Sequence, residues 1–423
     1  MPEVFPSTAR LMLARVARVQ QSARVPSLVV AVFRGGHIVW SAGRGDVPGM
    51  AGGGNPLDVQ YRLGSITKTI TAIAVMRLRD EGRLDLADPL ERHLPGTPLG
   101  DRTIAALLGH LGGVTSEAPG DWWERTPGTT LGGLGLTPSS AVLAVGRRFH
   151  YSNLGFALLG EAVSRTRGRP WADVVTDEVL RPLGMTRTTT RPEAPAATGF
   201  AVHPWADVVQ HEPEHDAGVM APAGQLWSTA NDLARLGACL LGATDGVLDA
   251  GTVEEMMTPA TTNGPQSSSY GLAVDVLRCD DVTLVGHGGS MPGFLAGSWL
   301  TPPRGRGHWC WPTPLTVSMS RSCRASWPTF VGPSPVSSRH GGPLPRRFRS
   351  TTWATGTGAR CRSCSTPVME RCNWMLPRTQ DWDRGSVVIR CSQVPGSHST
   401  AISQARPCAL FHTPRPPTAP RLR

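Results

Sequence analysis

The sequence predicts an α+β fold: an antiparallel sheet flanked by helices, with a helical subdomain. Three observations carry that expectation. β-rich runs stand near both ends of the first 298 residues, amphipathic helical stretches fill the span between them, and no internal repeat interrupts the order.

The elements follow in chain order. "MPEVFPSTARLMLARVARVQ" sets Leu11, Leu13, Val16 and Val19 among arginines, which predicts an amphipathic helix rather than a signal peptide, because no continuous apolar run follows the charges. "SLVVAVFRGGHIVWSAG" is two β-rich runs about Gly35-Gly36 and predicts a hairpin. Ile66, Ile70, Ile73 and Ala74 recur at helical spacing over 65–81, with Gly82 as the stop. "RLDLADPLERHLPG" is an extended connection, and the Gly-, Thr- and Pro-rich stretch to about residue 145 holds only short helical pieces such as Ile104 to Leu108. "YSNLGFALLGEAVSRTRG" predicts a helix capped by Asn153 and closed by Gly168. "PWADVVTDEVLRPLGM" and "STANDLARLGACLLG" are further amphipathic helices, and "YGLAVDVLRCDDVTLVGHGGSMPGF" is a strand pair leading into a glycine-rich turn.

Composition divides the chain in two. Residues 1–298 hold 24 basic and 29 acidic side chains, net −5, whereas 299–423 hold 18 and 3, net +15. The second segment also carries 7 of the 9 Cys and 7 of the 13 Trp, without helical or strand periodicity. A disordered basic tail is poor in Trp, and a folded domain shows apolar patterning; this segment does neither. The codon table offers a third account. Read from the third base of the glycine codon, "GHWCWPTP" at 307–314 forces Leu-Val-Leu-Ala whatever the wobble bases are, which is the apolar run of a buried strand. The frame is therefore expected to slip between about Gly293 and Ser298. Residues 1–298 form one domain that lacks its C-terminal strand and helix, and 299–423 is an out-of-frame, unstructured segment. On that account "CRSC" at 361–364 is no metal or redox site, and the basic tail is no sign of a nucleic-acid partner.

Within the body, Lys68 is the only lysine of the chain, three residues after Ser65. Guanidinium keeps its proton, whereas an amine can be made neutral by burial and then serve as a base. On a helix, positions i and i+3 share a face, so Lys68 can meet the Ser65 hydroxyl and activate it. Ser65 also falls at the helix N-terminus, where free backbone N–H groups can hold an oxyanion. The competing reading is that Ser65 only caps the helix and Lys68 is an exposed cation.

"SITK" at 65–68, "YSN" at 151–153 and "HGG" at 287–289 resemble, in order and separation, the three signatures of the serine β-lactamase and penicillin-binding protein superfamily. The likeness is to the class C-like branch, which includes D-alanyl-D-alanine carboxypeptidases, D-aminopeptidases and esterases, and it spans about residues 20–297. The resemblance implies a β-lactamase/transpeptidase-like fold and an acyl-enzyme at Ser65. It further implies Lys68 as partner in proton transfer, Tyr151 as second proton carrier, and Asn153 holding the substrate amide or the Lys68 ammonium. His287 stands where many relatives have lysine, Gly288 and Gly289 let substrate approach the strand, and the N–H groups of Ser65 and Ser290 form the oxyanion hole. No metal or cofactor is implied. It also places a C-terminal strand mid-sheet, between the N-terminal hairpin and the strand after the third signature.

The expected activity is hydrolysis of an ester, a β-lactam or a D-amino-acid amide or peptide, with an inactive frameshifted relative as the alternative. The partner is a small molecule, with no nucleic acid and no membrane: no stretch approaches the roughly 18 apolar residues of a span. A cytoplasmic location is expected unless an upstream start codon supplies an export signal; oligomeric state is left open. "HEPEHD" at 211–216 places two His at i and i+4, but Pro213 between them breaks a helix, so a solvated loop is expected rather than a metal site. His110 is assigned a packing role.

Overall fold

The computed structural model describes residues 4–202, 209–262, 268–279, 282–302 and 315–318. Helix α1 (Pro6–Ser22) buries Met12, Val16 and Val19, an i, i+4, i+7 stripe, and leaves Leu11 and Leu13 toward solvent. Of the four apolar residues that suggested the helix, only the two valines reach the core.

Strands β1 (Ser27–Arg34) and β2 (His37–Gly45) form the expected hairpin, with Gly35 and Gly36 both at positive φ in the two-residue turn. After the short strand β3 (Tyr61–Arg62) comes helix α2 (Ile66–Asp80), buried almost all round from Ile66 to Met76. A helix so enclosed is the spine of the fold, and the side chain of Lys68 lies wholly inside it.

The helical subdomain comprises α3 (Ile104–Leu108), α4 (Asn153–Arg167) and α5 (Trp171–Val175), the last running into a π-helical turn over Thr176–Leu180. The cap of α4 is Ser152, not Asn153: Ser152 Oγ accepts from Gly155 N at 2.8 Å, and Asn153 is the first helical residue. That shift frees the Asn153 amide for other partners. Strands β4 (Phe200–Val202) and β5 (Val209–His211) pair with each other, and α6 (Ala221–Gly224) leads to β6 (Trp227–Ser228), which pairs with β3. Helix α7 (Ala230–Leu240) is capped by Thr229, and α8 (Ala250–Met257) precedes the remaining strands.

These are β7 (Thr261–Thr262), β8 (Ser268–Tyr270), β9 (Asp275–Cys279), β10 (Val282–Met291), β11 (Phe294–Leu300) and β12 (Leu315–Ser318). All pair antiparallel in an eight-stranded sheet of order β2-β1-β12-β11-β10-β9-β8-β7. The "HGG" residues lie within β10 itself, and the tight turn falls later, at Gly293 with φ +79.

The sequence reading left the place between β1 and β11 empty. The structure fills it. Leu315–Ser318 pairs Val30 with Ser318 and Phe33 with Leu315 on one side, and Gly297 with Ser318 and Trp299 with Thr316 on the other. The physical reason is demand from both flanks: β1 and β11 each present unpaired backbone groups toward that place, and Leu-Thr-Val-Ser is a short β-prone segment able to meet them. The expectation that a C-terminal helix is missing, the stretch 303–314 and "CRSC" all fall outside the described residues.

Candidate active site

Ser65 precedes α2 with helical backbone angles, and its side chain makes no capping bond. Its Oγ instead accepts from Lys68 Nζ at 2.9 Å, one turn along the same face. The capping-only reading of Ser65 therefore fails. Lys68 Nζ also donates to Ala223 O at 2.7 Å, and Thr71 Oγ1 to Pro222 O at 2.9 Å, so α6 is tied to the side of α2. Burial disfavours the charged amine and brings Lys68 down to about 7, while the carboxylates of Glu117 and Glu124 hold it from falling further. A neutral amine at this distance from a hydroxyl can take its proton.

Tyr151 shares a hydrogen bond with Ser65, and its ring centre lies 5.0 Å from Lys68 Nζ. Burial drives this phenol upward from its ordinary value, and the bond to Ser65 offsets only part of that. Burial thus keeps Tyr151, expected as the second proton carrier, in its neutral protonated form. Ser65, Lys68 and Tyr151 therefore meet at one point.

The Tyr151 segment is held by His110, whose Nδ1 accepts from Ser152 N at 3.1 Å and whose carbonyl accepts from His150 N at 2.8 Å. Its ring packs against Tyr151, Phe156 and Tyr270, at 4.2, 5.2 and 4.8 Å between centres. Burial, with the charges of Lys68, His287 and His150, keeps it well below the usual imidazole range, so it packs as a neutral ring.

On the far side, β10 crosses the N-terminus of α2. A Cβ on Gly64, which has φ +55, would fall 2.5 Å from Ser290 N, and one on Gly289 would fall 1.8 Å from Leu63 O. Only glycine permits that backbone approach. It sets the Ser290 segment against Gly64, next to Ser65. His287 is buried, with Nε2 3.1 Å from the Tyr270 hydroxyl and Nδ1 against Gly288 O.

Asn153 does not bond Lys68. Its Nδ2 donates to Glu117 Oε1 at 2.7 Å, and Trp123 Nε1 donates to the other oxygen, also at 2.7 Å. Beside them Glu124 accepts from Trp122 Nε1 at 3.1 Å; burial and the nearby Glu117 charge raise its carboxyl to about 7. Sequence reasoning missed Glu117, Trp123, Glu124 and Ala223, because they lie in segments without periodicity and act through single side-chain or carbonyl atoms.

"HEPEHD" is not a solvated loop throughout. Glu212 is buried and holds Arg125 by both oxygens, with Nη2 to Oε1 at 2.6 Å, while Arg125 stacks on Trp122 at 4.8 Å. His215 Nε2 lies 3.0 Å from Trp123 O. The stretch therefore straps down the 117–128 loop that carries Glu117 and Glu124. Among the described residues, no group of three or more His, Cys, Asp or Glu could hold a metal ion, and no helix is long and apolar enough to cross a membrane.

The family model described as beta-lactamase matches residues 13–319. The chain belongs to that family. It is 25% identical over 299 residues to "Beta-lactamase-like protein 2" of Dictyostelium discoideum, covering 66% of this chain and 54% of that protein. It is 32% identical over 149 residues to the "D-alanyl-D-alanine-carboxypeptidase/endopeptidase AmpH" of Escherichia coli (strain K12), covering 32% and 38%. The chain thus spans about half, or less, of the length of these relatives. Among solved structures, the octameric penicillin-binding protein homologue from Pyrococcus abyssi superposes with a TM-score of 0.65 at 22% identity, over 75% of this chain and 73% of that one. A class C beta-lactamase mutant gives 0.62 at 17%, over 76% and 94%; both likenesses show the fold. A D-stereospecific amidohydrolase from Streptomyces sp. gives 0.59 at 26%, over 73% and 93%.

Proposed function

We propose that this protein is a serine hydrolase that forms an acyl-enzyme through Ser65 with an ester, a β-lactam or a D-amino-acid amide or peptide. The carrying observation is a fully buried Lys68 amine, brought near neutrality by burial, 2.9 Å from the Ser65 hydroxyl. Ser65 Oγ attacks the carbonyl carbon while its proton passes to Lys68 Nζ. The oxyanion rests on the N–H groups of Ser65 and Ser290. On collapse, Tyr151 gives its proton to the leaving group and is reprotonated from Lys68; water then attacks the acyl-enzyme with Lys68 as base, releasing the acid and restoring Ser65. Asn153, His287, Gly288, Gly289 and Ser290 bind substrate around this centre. The names of the relatives, a D-alanyl-D-alanine carboxypeptidase and a D-stereospecific amidohydrolase, support the D-amino-acid end of that range.

The test is intact-mass spectrometry of the full chain incubated with p-nitrophenyl acetate and, separately, with a β-lactam. A single acyl adduct on wild type and none on Ser65→Ala is expected. Equal labelling of both proteins would place the chemistry elsewhere.

A second reading rests on the charge break after residue 298: an inactive relative, with 1–298 as the hydrolase domain and 299–423 out of frame. Resequencing codons 290–315 from genomic DNA tests it. A one- or two-base correction yielding Leu-Val-Leu-Ala is its expected outcome, and an unchanged frame, with Leu315–Ser318 as the native central strand, is the outcome against it.

A further inference from the structure

Lys68 Nζ donates one N–H to the Ala223 carbonyl, which a helix continuing past α6 would have used for itself. In a continuing α-helix the carbonyls of Pro222 and Ala223 accept from the N–H groups of Leu226 and Trp227, four residues on. Here both N–H groups are turned elsewhere. Leu226 N donates to Thr67 Oγ1 at 3.2 Å and Trp227 N to Thr189 O at 2.8 Å, so the helix stops with two open carbonyls. Thr71 Oγ1 donates to the first, at 2.9 Å, and Lys68 Nζ to the second, at 2.7 Å.

The three side chains that do this are neighbours on α2. Thr67 directly precedes Lys68, and Thr71 lies one turn beyond it on the same face. A threonine inside a helix commonly turns its hydroxyl back to a carbonyl of its own preceding turn. Thr71 instead points its hydroxyl out of α2 and across to α6. Both threonines are 0% exposed, where a hydroxyl costs stability unless it is bonded. A helix as short as α6 cannot hold its own shape, so bonds from outside must fix it. At its far end the Gln225 side chain accepts from Arg62 Nη2 at 3.2 Å and Ala217 N at 3.1 Å, and donates to Thr190 O at 2.9 Å. With that end anchored, loss of one threonine hydroxyl loosens the α2 side of α6 without detaching it.

We infer that Thr67 and Thr71 are positioning residues for the Lys68 base. Thr67 stops α6 by taking the Leu226 N–H, and Thr71 fixes the stopped end through the Pro222 carbonyl. The Ala223 carbonyl then takes one amine N–H and turns the lone pair toward Ser65. Both threonines act through α6 and not on the reacting atoms. What the aimed lone pair does rests on the acyl-enzyme reading; the carbonyl contact itself does not.

Because Lys68 is the only lysine of the chain, full-length protein made with lysine isotopically labelled at Cε gives one lysine resonance. Its midpoint in a pH titration is read without any substrate. A carbonyl stabilises the ammonium form more than the neutral amine, so losing it lowers that midpoint. Thr67→Val and Thr71→Val, close in shape but without the hydroxyl, should each bring it about half a pH unit or more below wild type. Thr71→Ser, which keeps the hydroxyl, should restore it. Glu117, Glu124, Tyr151 and His110, the titratable groups that bear on this amine, are unaltered in every variant. On p-nitrophenyl acetate both valine variants should lose about tenfold in kcat with KM little changed, and Thr71→Ser should recover it. Where valine is too crowded to fold, Thr67→Ala and Thr71→Ala put the same question. A hydroxyl that only stabilises the fold would leave the midpoint in place. Valine or alanine variants at the wild-type midpoint, or a serine variant displaced as far as the valine one, therefore overturn the inference. Displaced midpoints in the variants of a chain that shows no turnover would uphold the positioning and remove the Ser65 reading.

Discussion

Lys68 Nζ stands 2.9 Å from Ser65 Oγ and 2.7 Å from Ala223 O, on a helix buried on nearly every side. The carbonyl takes one N–H, and with a neutral amine the lone pair is left for the serine proton. Burial makes that neutral form available near pH 7. On p-nitrophenyl acetate, kcat/KM should therefore rise through one ionisation near pH 7 and level off above it. Lys68→Arg, which keeps the charge but cannot give up its proton, should lose about 10²–10⁴-fold at all pH values. A wild-type profile flat from pH 5.5 to 8.5 would remove Lys68 as the base.

The same amine leaves a mark on stability. Its ordinary value is 10.5 and its folded value about 7, so between these limits the unfolded chain binds more protons than the native one. Stability must then rise with pH across that window, by up to about 1.4 kcal/mol per pH unit from this group. Urea unfolding of wild type and Lys68→Met at pH 6.5 and pH 9 isolates the effect. The expected result is a Lys68→Met protein that is the more stable of the two at pH 6.5, with the advantage shrinking by pH 9. A constant difference would mean that Lys68 is not held neutral by burial.

How much of this was legible before the structure depends on how local the signal was. Ser65 and Lys68 could be paired because helix geometry joins i and i+3, and the Gly35-Gly36 turn could be found because a β-rich run stands on each side of it. Tyr151 and His287 are remote from Ser65 in sequence; ordered motifs, not periodicity, located them. Glu117 and Ala223 had no such signature. Neither a lone acid in an irregular loop nor a backbone carbonyl has a pattern in one sequence, and their roles exist only once α4 and α6 are packed beside α2. The cap of α4 was misread by one residue, since Ser and Asn are both good caps and only the bond to Gly155 N decides. The sequence reading left the central strand's place empty because composition past residue 298 carries no strand pattern; Leu315–Ser318 occupies that place in the sheet.

The Arg125–Glu212 pair gives an asymmetric prediction. The Glu212 side chain is 4% exposed and that of Arg125 is 40% exposed. Arg125→Met strands a buried carboxylate, whereas Glu212→Gln frees a guanidinium that can turn to water and that still packs on Trp122. Arg125→Met should cost about 2–3 kcal/mol and Glu212→Gln about half that. The double variant should recover part of the loss, as a double-mutant cycle in urea would show. Costs in the reverse order would mean that the ion pair does not anchor the 117–128 loop.

Two glycines make a matched pair for the strand crossing beside Ser65. A methyl on Gly289 would sit 1.8 Å from Leu63 O, so β10 has to withdraw from α2 and carry the Ser290 N–H away with it. Nothing lies within 4 Å of the corresponding position on Gly251, near the start of α8. Gly289→Ala is expected to cost about 1–3 kcal/mol and to lower kcat more than it raises KM, because the oxyanion loses a donor that matters most in the transition state. Gly251→Ala should instead be neutral or stabilise by up to about 1 kcal/mol, with unchanged kinetics, through the lower entropy of its unfolded chain. Thermal unfolding and p-nitrophenyl acetate kinetics of the two variants side by side provide the measurement. If Gly289→Ala loses stability but retains full kcat, the backbone approach is structural only, and the second oxyanion donor lies outside β10.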